Sequence, residues 1–191
     1  DRFTDIKMRS SIFQYILASA TIILFIGCGS GEPEAANNNE AIIIISKPPS
    51  PVITPGPTNY GRSAHTATLL KDGKVLIMGG FGDDFTPLKS SELYNPITGT
   101  WAETASMLEG RAEHTATLLE DDRVLVTGGI NPNFKPSASA EVYDTVSNTW
   151  SSFSDMEERR RKHSSIMLRD GKVIVLGGTG ANRTLATAEI Y

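Results

Sequence analysis

Three histidines, His65, His114 and His163, stand 49 residues apart in this chain, and imidazole is the commonest transition-metal ligand. A shared metal would need them within a few ångströms of one another. Residues that recur at one fixed step instead fall one structural unit apart, so each histidine is expected to pack or hydrogen-bond within its own unit. Arg62, Arg111 and Arg160 precede them by three residues, and Glu92, Glu141 and Glu189 follow at matching offsets. One arginine–glutamate salt bridge per unit is the expected use, since charges that recur in every repeat serve the repeat. The densest charge run, Arg159-Arg160-Arg161-Lys162, follows Glu157-Glu158. It reads as a solvated loop between units, with contact to anionic lipid or polysaccharide as the alternative. Gly178-Thr179-Gly180 lacks the Lys-Ser or Lys-Thr of a phosphate-binding loop. No nucleophile–base pair stands out, and no cofactor or metal is expected.

The elements that must position these residues follow from the repeat itself. The glycine pairs Gly79-Gly80, Gly128-Gly129 and Gly177-Gly178 keep the 49-residue step, as do Trp101 and Trp150, and Tyr94 and Tyr143. The third copy is one residue shorter in its loop, so Glu189 and Tyr191 come one position early. Each copy reads as four short strands. The first is His65 to Leu70, matched by His114 to Leu119 and His163 to Leu168. A two-residue turn of type I′ is expected at Asp72-Gly73 and Asp170-Gly171, with a less favourable Asp121-Asp122 in the second copy. The second strand, Val75 to Met78, is apolar without alternation, which implies burial on both faces. The double glycine ends it, Ser91 to Tyr94 form the third strand, and the fourth begins at Thr100-Trp101.

A hydrophobic strand, a Gly-Gly pair and a spaced Tyr and Trp, in units of about fifty residues, resemble the kelch repeat. The resemblance covers roughly Thr58 to Tyr191. It implies an all-β fold, a partial β-propeller of four-stranded blades at about 62–110, 111–159 and 160–191, two complete and the third incomplete. Propellers close with four to eight blades, and the sequence does not start with Met, so the chain is expected to be a fragment of a longer reading frame.

Residues 1–28 read as an address. Met8 and Arg9 open an export signal, and Ile12 to Ile26 forms its apolar stretch, expected as a signal helix. Leu24-Phe25-Ile26-Gly27-Cys28 resembles the lipobox of bacterial lipoproteins, with Phe25 where Leu, Val or Ile is usual. The resemblance implies cleavage before Cys28, the only cysteine, and a lipid on its sulfur. An uncleaved membrane anchor is the alternative, because Ser10 to Gly31 is uncharged and long enough to span a bilayer. Residues 29–57 read as a tether. Glu32 to Glu40 is acidic and Asn-rich, hence disordered. Lys47 to Pro57 is proline-rich, and Ile42 to Ile45 is a strand signal between them. The expected location is the bacterial cell envelope, lipid-anchored to the outer membrane or cell surface.

The net charge of −4 argues against nucleic acid as a partner, since phosphate binding needs an excess of Lys and Arg. Residues 81–90, with Asp83, Asp84 and Phe85, and 130–139, with Asn131, Asn133 and Phe134, differ most between copies. Loops that diverge on a repeating scaffold are where recognition is placed. Aromatic rings beside Asp and Asn suit a protein or glycan ligand. The expected function is therefore a non-catalytic binding or display module. The alternative is a kelch-type enzyme, a copper-dependent carbohydrate oxidase or a sialic-acid-converting enzyme, with its site in further blades. The copper class depends on a Cys–Tyr crosslink, and the lone cysteine lies in the signal region.

Overall fold

The computed structural model describes residues 55–191, within the unit Ile53–Tyr191. The expected signal helix, the lipid expected on Cys28 and the expected isoleucine strand lie outside the described residues. Eleven strands form three antiparallel sheets and, among the described residues, there is no helix. The first sheet runs β1 (Thr66–Leu69), β2 (Val75–Met78), β3 (Ser91–Asn95), β4 (Thr100–Thr104), in chain order across the sheet. The second repeats it with β5 (Thr115–Leu118), β6 (Val124–Thr127), β7 (Ala140–Asp144) and β8 (Thr149–Phe153). The third has β9 (Ser164–Met167), β10 (Val173–Leu176) and β11 (Ala188–Ile190). These are blades of a partial β-propeller, as the repeat predicts.

The strands form where they do because each is short, β-branched or aromatic, and bounded by residues that turn the chain. The β1–β2 hairpin differs from the expected type. Gly73 donates to the Leu70 carbonyl and Leu70 N to Lys74 O, which leaves three residues, Lys71 to Gly73, in the loop. Only Gly73 has a positive φ, 84°, whereas type I′ requires two such residues in succession. Asp122 takes the same seat in the second blade with φ 68°, the strained turn its sequence implies.

The core lies between blades. Leu76 and Met78 of the first blade pack with Val124, Val126, Tyr143 and Trp150 of the second. Leu125 and Ala140 on the far side of the second blade pack with Val173 and Val175 of the third. All four residues of β6 are buried, as an apolar strand between two neighbours must be. In β10 only Val173 and Val175 are buried.

The approach to the first blade keeps the repeat where the sequence pattern does not show it. Trp101 Nε1 donates to Gly56 O at 3.0 Å, as Trp150 Nε1 donates to Ala105 O at 2.9 Å. Asn59 N donates to Glu92 Oε2 at 2.8 Å, as Leu108 N donates to Glu141 Oε2 at 2.6 Å. Gly56 and Asn59 therefore sit on the first blade as Ala105 and Leu108, 49 residues later, sit on the second. The boundary expected at residues 57/58 falls inside this segment.

Candidate ligand-binding face

The pairings Thr66↔Met78 and Met78↔Ser91 put the start of β1, the end of β2 and the start of β3 at one end of the blade. The loops after the double glycines therefore share a face with the segments that lead into β1, β5 and β9. The hairpin turns at Gly73, Asp122 and Gly171 emerge at the opposite end.

Beneath that face each seam between blades is built from the repeated residues. Arg111 is fully buried. Its Nη2 meets Glu141 Oε1 at 2.6 Å and Ser139 Oγ at 3.0 Å, and its Nη1 donates to Gly128 O at 2.8 Å. Glu141 also accepts the backbone N–H groups of Leu108 and Glu109. Arg62–Glu92 and Arg160–Glu189 repeat the 2.6 Å ion pair. The salt bridge expected in each blade is present, and each glutamate also holds the segment leading into its blade. Removing one partner of such a pair would leave a buried charge uncompensated, so these groups serve the blade and are not free for a ligand.

His114 and His163 bond across the seams and not only within their own blades. His114 Nε2 is hydrogen-bonded to Thr66 Oγ1 of the preceding blade at 2.8 Å. His163 Nε2 is bonded to Thr115 Oγ1 and Thr127 Oγ1 of its preceding blade, at 2.9 and 3.0 Å. Burial, helped by the nearby Arg111 and Arg160, pushes the rings down to about 3 and about 4, so both are neutral near pH 7. His65, more exposed, is lowered by burial and by Arg62. Among the described residues no three His, Cys, Asp or Glu side chains gather as a metal site needs.

The two glycines of each pair have different tasks. A Cβ on Gly128 would lie 2.4 Å from the Arg160 carbonyl of the next blade and 2.9 Å from His163 Cε1. A Cβ on Gly129 would lie 2.6 Å from Ala112 O, in the segment leading into its own blade. Gly79 and Gly80 repeat both approaches, and Gly178 repeats the second. Gly177 differs, with Leu185 O at 3.8 Å as its nearest neighbour. At the inner edge, Glu113 N donates to Ala64 O and Lys162 N to Glu113 O, both at 3.0 Å. Ala64, Glu113 and Lys162 reach these bonds with φ between 52° and 55°, a left-handed seat that their residue types do not advertise.

Of the loop residues singled out in the sequence, the aromatic pair is presented alike in both copies. Phe85 and Phe134 are 71% and 62% exposed, and both have positive φ, 59° and 56°. Phe85 N donates to Gly82 O and Phe134 N to Asn131 O, so the same turn presents both rings. Asp84 is occupied by Thr86, whose N–H it accepts at 3.0 Å and which lowers its carboxyl. Asn131 Oδ1 accepts the N–H groups of Asn133 and Lys135. Asp83 and Asn133 are exposed, with Asp83 Oδ1 close to Gly61.

The charge run separates into distinct roles. Arg160 is the buried network residue. Arg161 Nη1 pairs with Glu113 Oε2 at 2.7 Å, and Lys162 Nζ with Glu113 Oε1 at 3.2 Å. Arg161 stands where the earlier copies have Ser63 and Ala112, and that departure from the repeat was the available signal. It lines a cleft of about 440 Å³ with Phe134 and Pro136 of the second blade and Thr179, Asn182 and Arg183 of the third.

The profile of the Kelch motif matches residues 62–108 and 121–157, the first blade and β6 to β8 of the second. The chain carries kelch repeats. A search of curated proteins finds no match. Kelch repeats in propeller blades support an interaction module, and their buried arginines, histidines and glycines are the parts that hold the blades together.

Proposed function

We propose that this kelch chain is a non-catalytic binding module, engaging a protein or glycan through the loops of one face and held at the bacterial cell envelope by a lipid on Cys28. The observation that carries the binding reading is the pair Phe85 and Phe134. Two large rings stand exposed at one repeat position, on loops that otherwise share only Pro87/Pro136 and Ser90/Ser139. Each keeps a left-handed backbone that costs roughly 1–2 kcal/mol for a residue other than glycine. Exposed aromatics in a strained turn gain nothing from packing, and a bound ligand would give them a use. The repeated arginines and glutamates are paired within the blades and His114 and His163 are bonded across the seams, which supports this face as the place for recognition.

The test is a panel of envelope polysaccharides and proteins presented to the full chain and to the Phe85→Ala/Phe134→Ala double variant. The reading expects at least one binder whose signal falls tenfold or more in the double variant, with thermal stability kept. A panel without a binder, or a binder indifferent to both rings, refutes it. For the anchor, Cys28→Ala should abolish incorporation of labelled fatty acid and release the chain from the membrane fraction.

A further inference from the structure

We propose that the cleft between the second and third blades is a subsite for a carboxylate-bearing pyranose, a sugar acid; this rests on the binding-module reading and names the ligand class of one part of that face. The charged positions that repeat are paired inside the blades, so polar positions that break the repeat are the ones available to bind. The polar residues of the cleft are of this kind. Arg161 replaces Ser63 and Ala112, Thr179 replaces Phe81 and Ile130, and the shortened third loop brings Asn182 and Arg183 to its wall. Its volume, about 440 Å³, falls in the range of small-molecule sites, roughly 300–1,000 Å³.

The lining supplies three complementary groups. Phe134 offers an exposed ring face, which suits the C–H face of a sugar. Arg161 spends Nη1 on Glu113, and Arg183 spends Nη2 on Glu158 at 2.8 Å. The other donors of these two guanidiniums make no hydrogen bond among the described residues, so each can still meet a carboxylate. Asn182, Thr179 and Thr184 bring the amide and hydroxyl groups that ring hydroxyls need. The surrounding ion pairs join four cations, Arg160, Arg161, Lys162 and Arg183, to three carboxylates, Glu113, Glu158 and Glu189. The cleft is therefore locally positive on a chain of net charge −4, which selects an anionic ligand. An extended peptide would take its main-chain contacts from a groove or a free strand edge, whereas this cleft offers one exposed ring, two guanidiniums and amide and hydroxyl groups around a single volume.

The experiment is calorimetric titration of the full chain with trimers of galacturonic acid and of mannuronic acid, each compared with its methyl ester. The ester keeps every hydroxyl and removes the charge. At least one acid should bind, with its ester roughly tenfold weaker or worse, as expected for losing a charge-assisted contact. Phe134→Ala and Arg183→Gln should each weaken the acid by about tenfold without lowering Tm, since both side chains are exposed. Ile97→Ala, an exposed side chain on the β3–β4 turn at the opposite end of the first blade, should leave binding unchanged. Failure of both acids to bind, equal binding of acid and ester, or equal loss in the Ile97 and Phe134 variants overturns the proposal. A neutral glycan or a protein that binds through the two phenylalanines would sink this subsite while leaving the binding-module reading standing.

Discussion

The seams between blades can be measured with a pair of substitutions at one repeat position. Gly128 and Gly177 share a left-handed backbone, φ 59° and 66°, and differ in what lies beyond them. At Gly177 an alanine meets nothing closer than 3.8 Å. Gly177→Ala should therefore cost only the left-handed penalty, about 1–2 kcal/mol, partly offset by about 0.4–1 kcal/mol from a less flexible unfolded chain. At Gly128 the same methyl would lie 2.4 Å from Arg160 O and 2.9 Å from both His163 Cε1 and Met156 Cε. A backbone carbonyl cannot swing aside, so the blades must part, at an overpacking cost of about 1–3 kcal/mol. Parting them also stretches the 2.9 Å bond from Gly129 N to Arg160 O. The difference between the two variants, about 2 kcal/mol, should separate their urea midpoints by about 1 M for a slope near 2 kcal/mol/M. Equal shifts at Gly128 and Gly177 would refute the claim that the neighbouring blade sets the cost.

Two further outcomes follow from the same geometry. His114 and His163, held at about 3 and about 4 by burial and by Arg111 and Arg160, bind protons more readily when unfolded, at their ordinary 6.5. Their contribution is full above pH 6.5 and is lost as pH falls toward the folded values. Stability should drop between pH 7 and pH 5 by up to about 1.4 kcal/mol per pH unit for each ring below 6.5. Urea titrations at several pH values should show a shallower dependence in His114→Gln, and an unchanged slope would contradict the neutral buried ring. In the second hairpin, Asp122 holds φ 68° where the other copies have glycine, so Asp122→Gly should stabilise by up to about 1 kcal/mol. A lower Tm in that variant would mean that its long contacts to Lys71 and Thr145, both 3.4 Å, outweigh the strain.

Much of the scaffold was legible because a 49-residue step leaves little freedom. Strand β2 lies at Val75–Met78 as its apolar run required, and the Arg–Glu pairs form at one per blade. Periodicity fixes which positions are equivalent and leaves open which blade an equivalent side chain reaches. His114 was therefore placed within its own blade, and it bonds Thr66 across the seam. The hairpin type was missed because Asp-Gly suits two turns, and the extra loop residue shows only in the Leu70–Lys74 pairing. In the loops, composition could not separate a ligand-facing Asn from one closing its own turn, as Asn131 does. The cleft was hidden for a different reason. Its polar lining departs from the repeat, and in sequence Arg161 is one more charge in a basic run.

The central claim is that recognition belongs to the face carrying residues 81–90 and 130–139. Hydrogen–deuterium exchange of the full chain, with and without the strongest binder from the panel, tests it most directly. The account predicts slowed exchange in those two loops and in residues 179–184, with the hairpin turns at 70–74, 119–123 and 168–172 unchanged. Protection confined to the hairpin turns would contradict it.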